Sequence, residues 1–233
     1  MKNPAAGGGR WVEVPPERFV SWIVMFAERH GGADGVAASW LVTSAGQEGT
    51  VTFSAADGAA AECHPPFRSA ASSPALLPSP AMAEALAADA AADRTVGVLL
   101  VRLGGYAVGV FSGAPPRLMS SKTGSRPVHG RSAAGGWSQQ RFARRRENQA
   151  ATALRAAADA AAEVFGPYGP AGLDAVVLGG DRRSAAGLRD DTRLAGYLAR
   201  ASGRFLTVPD PRLAVLRDTP RAFQAIRIRL TEP

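Results

Sequence analysis

The sequence predicts an α/β protein with a mixed sheet in its second half, and three observations carry this prediction. Two apolar runs, "VGVLLV" and "AVVLGG", have the length and composition of strands that are buried on both faces. A long stretch that begins at Ser138 places apolar residues three or four positions apart, which is typical of an amphipathic helix. Turn signals separate these segments, so that strands and helices alternate along the chain.

The first part of the chain predicts an N-terminal α+β extension, residues 10–92, after a disordered Gly-rich tail, residues 1–9. "RWVEV" predicts the first strand. A helix follows over residues 15–32, where a Gly pair ends a pattern of helical spacing formed by Phe19, Trp22, Ile23, Phe26 and Ala27. Residues 35–66 alternate between apolar and polar positions and predict an antiparallel hairpin or meander. An Ala/Ser/Pro-rich loop then ends in a short helix, residues 79–92.

Residues 93–233 predict one further domain. Its first three strands form a meander, "TVGVLLVRLGG", "YAVGVFSG" and "PPRLMSSKTGSRPVHGR". The long helix follows and stops at Gly166 and Pro167, and its apolar stripe consists of Phe142, Ala150, Leu154, Ala157, Ala161 and Val164. Next come a strand, "LDAVVLGGD", a helix, "RRSAAGLRDDTRLAGYLA", a strand, "RFLTVPDPR", which is followed by a short helical piece, and a final strand, "IRIRL". This is the element order of a ribonuclease H-like mixed sheet with flanking helices.

Composition narrows the class of protein. Apolar residues make up 46% of the 233 residues, enough for a core, and the net charge of +7 favours a polyanionic partner, nucleic acid before membrane. The longest apolar runs have only strand length and the N-terminus has no apolar signal segment, which predicts a soluble, cytoplasmic protein. Cys63 is the only cysteine, so the chain forms no internal disulfide and no Cys-rich zinc site. We expect neither a metal nor a cofactor.

Basic residues concentrate where acids are missing. Arg94 through Arg146 contain no Asp or Glu, but they contain Arg94, Arg102, Arg117, Lys122, Arg126, Arg131, Arg141, Arg144, Arg145 and Arg146. A bias toward Arg explains many of these residues but not the missing acids, so phosphate contact is favoured over a solvated basic face. Helices prefer acids in the first turn, whereas the first two turns of the long helix hold four arginines. Such a start is understandable if an anion binds there, together with the free N–H groups of the first turn.

The stretch "GGWSQQ" precedes these arginines. Ser138 is placed as the N-cap of the helix, with Gln139 and Gln140 in its first turn. Gly135 and Gly136 permit backbone conformations that other residues avoid and let backbone amides approach a ligand. On composition alone, a Gly-rich connection with a chance Gln pair explains the stretch equally well.

Other candidates for chemistry are weaker. A ribonuclease H-like nuclease needs acids on its first strand to hold metal ions, and "VGVLLVRLGGYAVGVF" has none. The pair Asp190 and Asp191 lies on a predicted helix and is expected to face solvent. Cys63 and His64 are neighbours on a predicted strand and point to opposite faces, so we expect a buried cysteine rather than a nucleophilic pair. "VLGGDRR" lacks the full glycine pattern of nucleotide loops and predicts a strand–helix turn that adds positive charge. His129 flanks the basic loop and is interpreted as structural.

These features together resemble a known family. A Gly-rich loop with a Gln, flanked by basic residues and placed before a long helix of a ribonuclease H-like layer, resembles the middle domain of eukaryotic and archaeal peptide-chain release factors, which carries a Gly-Gly-Gln loop. "GWSQ", Gly136 to Gln139, is closer to the Gly-x-x-Gln loop of the VLRF group, release-factor-like peptidyl-tRNA hydrolases of ribosome quality control. The Ala- and Arg-rich composition resembles an actinobacterial branch of that group. The resemblance covers residues 94–215. This sequence lacks the zinc finger, the ankyrin repeats and the coiled coil of the eukaryotic members.

The resemblance implies an enzyme that hydrolyses the ester between a nascent peptide and tRNA, with peptidyl-tRNA and the large ribosomal subunit and its rRNA as partners. In this interpretation the Gly/Gln loop, residues 130–140, places a water molecule, with Gln139 or Gln140 as the active amide and with Gly135, Gly136 and Ser138 shaping the loop. The RNA-binding residues would be Lys122, Arg126, Arg131, Trp137, Arg141, Arg144, Arg145 and Arg146. Trp137 stacks on a base or ribose, or anchors the loop. Two other readings stay open: a non-catalytic RNA- or ribosome-binding factor, and a nuclease that cuts the tRNA 3′ end.

Overall fold

The computed structural model describes residues 3–4, 8–32, 35–42, 49–67, 79–102, 105–125 and 138–233. Within these ranges, the description of residues 138–149 covers the backbone and not the side chains. The chain forms two compact units. The first comprises Met1–Ala92 and Arg221–Pro233, and the second comprises Asp93–Pro220.

The described residues before Asp93 contribute five strands and two helices. In chain order these are β1 (Asn3–Pro4), β2 (Arg10–Val14), α1 (Pro16–Arg29), β3 (Val36–Val42), β4 (Gly49–Ala55), β5 (Ala60–His64) and α2 (Ser79–Ala91). The sequence predicted β2, α1, α2 and an antiparallel hairpin or meander where β3, β4 and β5 lie, but it did not predict β1. Residues 1–9 were expected to be disordered, but Asn3 and Pro4 pair in antiparallel fashion with Trp11 and Arg10.

The helix α1 shows how its sequence sets its ends. Pro16 occupies the first helical position, where a missing N–H is no loss. Phe19, Ile23 and Phe26 recur at helical spacing and are buried, as predicted. Gly31 and Gly32 follow with φ angles of 108° and 88°, which glycine adopts without strain, and Gly32 N–H closes on Ala27 O at 2.8 Å.

The remaining elements follow Asp93. They are β6 (Val96–Arg102), β7 (Gly105–Ser112), β8 (Arg117–Ser125), α3 (Ser138–Phe165), β9 (Ala175–Gly180), α4 (Arg182–Gly187), α5 (Ala195–Leu198), β10 (Ala201–Leu206), α6 (Leu213–Arg217), α7 (Thr219–Phe223) and β11 (Ile226–Thr231). The long helix and every strand predicted for this part of the chain are present. The protein is therefore a mixed α/β protein with two sheets and several helices.

The last strand belongs to the first unit. The sequence analysis placed residues 93–233 in one domain, but β11 pairs with β2 and β5, which gives a six-stranded sheet in the order β1-β2-β11-β5-β4-β3. Ile226, Ile228 and Leu230 point into the core of this unit together with Phe19 and Phe53. The alternating arginines lie on the other face, where the Arg227 guanidinium is 4.4 Å from the centroid of the Trp11 ring.

The second unit is built on a five-stranded sheet in the order β10-β9-β6-β7-β8. The meander β6, β7 and β8 is antiparallel, whereas β9 runs parallel to β6 and β10 runs parallel to β9. Residues Val96–Val101 of β6 are buried on both faces, as the apolar run predicts. The helix α3 packs on the face that presents Val108 and Val110, and α6 packs on the opposite face, where Leu216 approaches Gly109.

One predicted helix is interrupted. Residues 182–199 were expected to form a continuous helix, but they form α4, two short 3₁₀ turns and α5. The side chain of Asp191 accepts a hydrogen bond from the Arg193 N–H at 3.0 Å and starts a new turn. Leu188, Leu194 and Tyr197 are still buried, so the apolar pattern is used by separate short turns.

Candidate functional site

The predicted site residues fall in and beside the connection from β8 to α3. Arg126, Arg131, Gly135, Gly136 and Trp137 lie outside the described residues. Ser138, Gln139 and Gln140 open α3, and its first turns also hold Arg141, Arg144, Arg145 and Arg146. Gln139 and Gln140 lie in the first turn, as predicted, but Ser138, predicted as the N-cap, is already the first helical residue. The roles assigned to these residues therefore stay predictions.

The point at which this connection begins can be located on the sheet. β6, β9 and β10 run in the same direction, and the pairs Val101–Gly180 and Gly179–Leu206 align the ends of these strands. Ser125, the last residue of β8, pairs with Gly105 just after the end of β6. We call this side of the second sheet, where Arg102, Ser125, Gly180 and Leu206 end their strands, the carboxyl edge. The last described residue before the connection, Ser125, therefore lies at the carboxyl edge.

A topological switch point lies at the same edge. The connection after β6 leads to β7 on one side, whereas the connection after β9 leads toward β10 on the other side. Ligands of open α/β sheets bind preferentially where the connections of neighbouring parallel strands diverge in this way. The strand ends make close contact there, because a Cβ on Gly180 would lie 2.2 Å from Val101 O and the Asp181 N–H donates to the same oxygen at 2.8 Å. With a φ of 99°, position 180 favours glycine.

In the turn after β9, the acidic residue is held by hydrogen bonds within the turn, whereas the two basic residues are exposed. The Asp181 carboxylate accepts hydrogen bonds from the Ser184 hydroxyl at 2.7 Å and from the Ser184 N–H at 2.9 Å, which lowers the pKa of Asp181 below its ordinary value. Arg182 and Arg183 are exposed, and the Arg182 guanidinium is 4.5 Å from the centroid of the Phe205 ring. The prediction of a strand–helix turn at "VLGGDRR" is confirmed.

Arg102, at the end of β6, is engaged within the protein. Its Nη1 donates to Val208 O at 3.0 Å, and its Nε lies 3.9 Å from Asp210 Oδ1. These contacts tie the end of β6 to the segment after β10. Of the basic residues at the carboxyl edge, Arg102 therefore has a structural role.

The helix α3 is anchored by its C-terminal half. Ala157, Ala161 and Phe165 are buried, and the Phe165 ring packs so closely on Gly97 that a Cβ there would lie 3.1 Å from Phe165 Cε1. Because Gly97 is near the start of β6, α3 runs from the carboxyl edge toward the opposite edge. Ala150, on the same stripe, is already exposed.

The length of α3 indicates that its start extends past the sheet. Its 28 residues span about 42 Å. Phe165 packs on Gly97, and from Gly97 to Ser125, at the far corner of the carboxyl edge, the sheet extends only about 20 Å. Since the C-terminal half is fixed on the sheet, the turns that carry Gln139, Gln140 and the four arginines extend beyond the carboxyl edge.

Ion pairs add to this anchoring. Lys122 of β8 pairs with Glu163 of α3, whose carboxylate accepts a hydrogen bond and raises the pKa of Lys122. Lys122 was predicted to contact phosphate. In the structure it joins the edge strand to α3, so a phosphate would have to share its ammonium with Glu163. Asp191, expected to face solvent, instead holds the Arg193 guanidinium, with Nη2 at 2.7 Å from Oδ2.

The cysteine offers no nucleophile. Cys63 is fully buried, and burial raises the pKa of its thiol well above the ordinary value. His64 lies on the opposite face of β5, with Nε2 at 2.9 Å from Glu62 Oε1. The expectation of a buried cysteine is confirmed. Within the part of the chain that the structure describes, no group of three or more His, Cys, Asp and Glu residues could hold a metal ion.

A family comparison decides the relationship of this protein. The model of the Actinobacteria/chloroflexi VLRF1 release factor matches residues 94–229, more than half of the chain. The chain belongs to the VLRF1 release factor family. The matched residues include the connection 126–137, α3 and the carboxyl edge, so the VLRF1 assignment falls on the site described above.

Comparisons with single proteins add less. The crystal structure of the archaeal translation termination factor aRF1 is similar over 88% of this chain and 61% of its own, at 14% identity and a TM-score of 0.40. A second structure, of an archaeal protein, gives 12% identity, 90% and 62% coverage and a TM-score of 0.36. This VLRF1 family member thus spans about three fifths of the length of these two chains. No curated protein matches it.

Two further points concern the sequence predictions. Among the described residues, no helix combines the length and the apolar composition needed to cross a membrane. Sequence reasoning missed the partners of Lys122 and Arg102, Glu163 and Asp210, which lie far along the chain. No local signal identifies such partners, because the fold alone brings them together.

Proposed function

We propose that this protein hydrolyses the ester between a nascent peptide and tRNA on stalled ribosomal complexes, in ribosome quality control. The observation that carries the proposal is the match of the VLRF1 release factor family over residues 94–229, which include the "GWSQ" loop. The anchoring of α3 supports it. A helix fixed at one end on the sheet can hold a loop at its other end inside a narrow catalytic centre.

The proposal includes the finer fold assignment. We assign the second unit to the ribonuclease H-like class, as in the middle domain of release factors. The support is its strand order, in which an antiparallel meander is extended on its first strand by two parallel strands. The first unit, which contains residues 10–92, then serves as an added layer or as a docking surface for the ribosome.

The chemistry needs no titrating group from the protein. A water molecule attacks the ester carbonyl carbon, negative charge develops on the carbonyl oxygen, and the bond to the tRNA 3′ oxygen breaks. That oxygen leaves with one proton of the attacking water, and the peptide leaves as a carboxylate after the second proton passes to solvent water. The Gln139 or Gln140 amide and backbone N–H groups of the loop orient the water and donate hydrogen bonds to the developing charge. Gly135 and Gly136 allow the close approach of the backbone, and Ser138 shapes the junction between the loop and the helix.

The basic residues serve binding in this proposal. Phosphates of tRNA and of rRNA in the large subunit are contacted by Lys122, Arg126, Arg131, Arg141, Arg144, Arg145 and Arg146. Trp137 stacks on a base or ribose, or anchors the loop. Because peptidyl-tRNA and ribosomes are cytoplasmic in bacteria, we place the protein in the cytoplasm.

The test is release of a labelled peptide from purified peptidyl-tRNA, with and without ribosomal subunits. We expect Gln139→Ala to reduce release by about 100-fold or more, the range lost when a donor to a developing oxyanion is removed. Gln140→Ala is measured in parallel, because either amide can face the ester. Gln149→Ala, farther along α3, is the matched control and should release peptide at the wild-type rate. Wild-type release by both Gln139→Ala and Gln140→Ala would refute the proposal.

The same assay separates the other readings. A non-catalytic factor binds peptidyl-tRNA or the ribosome without releasing peptide. A nuclease that cuts the 3′ end leaves a shortened tRNA on a denaturing gel, whereas ester hydrolysis leaves the tRNA at full length.

A further inference from the structure

Two exposed arginines lie at the carboxyl edge, outside the residues assigned to RNA above. Arg182 and Arg183 follow directly after the turn that ends β9, and both side chains are exposed. The Arg182 guanidinium lies over the Phe205 ring, with Cζ at 4.5 Å from the ring centroid, and this cation–π contact holds it against the protein. A guanidinium held in this way loses less side-chain entropy when it binds a phosphate.

These arginines lie on the same face of the sheet as α3. Phe205 packs against the core cluster that contains Ala157, Ala161 and Phe165 of α3. At the other end of α4, a Cβ on Gly187 would lie 3.0 Å from Leu154 Cδ1, so α4 and α3 are in direct contact. The arginine pair therefore lies beside α3, at the edge past which the first turns of α3 extend.

Among the described residues, neither Arg182 nor Arg183 forms an ion pair with a carboxylate. The nearest carboxylate in sequence, Asp181, is directed into the turn, where it accepts two hydrogen bonds from Ser184. Asp210 lies near Arg102 instead, with Oδ1 at 3.9 Å from Nε. Since the Ser184 N–H is already bound to Asp181, the start of α4 offers the arginine side chains, and not a free helix end, to an anion.

We infer that Arg182 and Arg183 form a second phosphate-binding surface, which holds the acceptor arm of tRNA while the first turns of α3 hold its 3′ end. The inference rests on the proposed function, because that function makes tRNA the polyanion. A phosphate backbone that passes from the tip of α3 along the carboxyl edge reaches the arginine pair on the same face. Such contacts position the tRNA and take no part in the chemical step.

The test measures binding of deacylated tRNA by the full chain over a salt series, with fluorescence anisotropy. The double variant Arg182→Gln/Arg183→Gln removes two charges and keeps side chains of moderate length. Each lost phosphate contact lowers the slope of log affinity against log salt by about 0.7 to 0.9, so the pair should lower it by about 1.4 to 1.8. At low salt we expect the affinity to fall by about tenfold.

Two controls isolate the effect. Arg217→Gln/Arg221→Gln removes the same charge from two other exposed positions, at the end of α6 and in α7, and should keep the wild-type slope. Arg182→Lys/Arg183→Lys keeps both charges and should keep most of the slope. Thermal unfolding shows whether the glutamine variant folds, and if it does not, Arg183→Gln alone should lower the slope by about 0.7 to 0.9.

The inference fails if Arg182→Gln/Arg183→Gln keeps the wild-type slope, or loses no more than Arg217→Gln/Arg221→Gln. This outcome leaves the proposed function untouched, because peptide release is measured separately. In the release assay the arginine variant should raise KM about tenfold and leave kcat within about twofold, since it weakens ground-state and transition-state binding equally. A wild-type chain that binds tRNA through these arginines but releases no peptide would refute the proposed function and not the phosphate surface.

Discussion

Arg193 joins α3 to the connection after β9: its Nη2 donates to Asp159 Oδ1 at 2.9 Å. The same guanidinium also holds Asp191, with Nε at 3.0 Å from Oδ1. Together with the pair formed by Lys122 and Glu163, these contacts fix the anchored half of α3 from two sides. The start of α3, which carries the candidate site, depends on this anchoring for its position.

We therefore predict that Arg193→Met lowers the thermal stability slightly, and more at low salt than at high salt. The side chain of Arg193 is half exposed, and exposed ion pairs contribute little and are screened. In about 1 M salt, where the Debye length falls to about 3 Å, the difference from wild type should nearly vanish. Arg189→Met, an exposed arginine in the same connection, serves as the control. A loss that is the same at both salt concentrations would contradict an electrostatic tie.

Gly180 gives a prediction about the carboxyl edge. Gly180→Ala should destabilise the protein by at least about 2 kcal/mol, because it combines a left-handed φ of 99° with a Cβ placed 2.2 Å from Val101 O. Two further glycines separate these effects. At position 169 the backbone φ is 64° and an added Cβ would meet no atom within 4 Å. At position 166 an added Cβ would also meet no atom within 4 Å, and the φ is not positive. Urea unfolding should rank the losses in the order 180, 169, 166, and equal losses at positions 180 and 169 would contradict the close contact.

Local sequence patterns predict some elements of this fold but not how all of them pair. The spacing of Phe19, Ile23 and Phe26 identifies α1, and the unbroken apolar run of β6 identifies a central strand, because burial acts on each element separately. β11 is recognisable as a strand from the alternation of Ile226, Arg227 and Ile228. Its place in the first sheet is not, because its partners in β2 and β5 are far away in the chain.

The candidate site shows the same division. The arginine-rich start of α3 and the turn at Asp181 follow from sequence, because helix starts and caps have local signals. Sequence treats Lys122 as a free charge, but the fold gives it Glu163 as a partner, 41 residues away. Asp191 likewise changes from a solvent-facing residue to a cap that divides the predicted helix. In both cases a specific polar contact overrides the pattern.

The reactivity of Cys63 tests the burial of this residue in the core of the first unit. Because it is the only cysteine, is fully buried and has a raised thiol pKa, we predict that a thiol reagent does not label the native protein but labels the denatured protein fully. Ser54→Cys in a Cys63→Ala background is the matched control. It places the thiol at an exposed position of the neighbouring strand and should react at once. Native Cys63 reacting as fast as this control would contradict its burial.

The cap at Asp181 predicts a pH dependence. Its pKa is lowered in the folded state by the Ser184 hydroxyl and N–H, so its stabilising effect is complete above the unfolded pKa of about 3.9 and is lost as the pH falls through the folded value. Asp181→Ala should therefore cost about 1 kcal/mol at neutral pH, the usual loss of an N-cap. The difference from wild type should shrink below about pH 4 in thermal unfolding. Ser184→Ala keeps the N–H donor and should lose less. A difference that stays constant down to about pH 2 would show that the charge on Asp181 does not contribute.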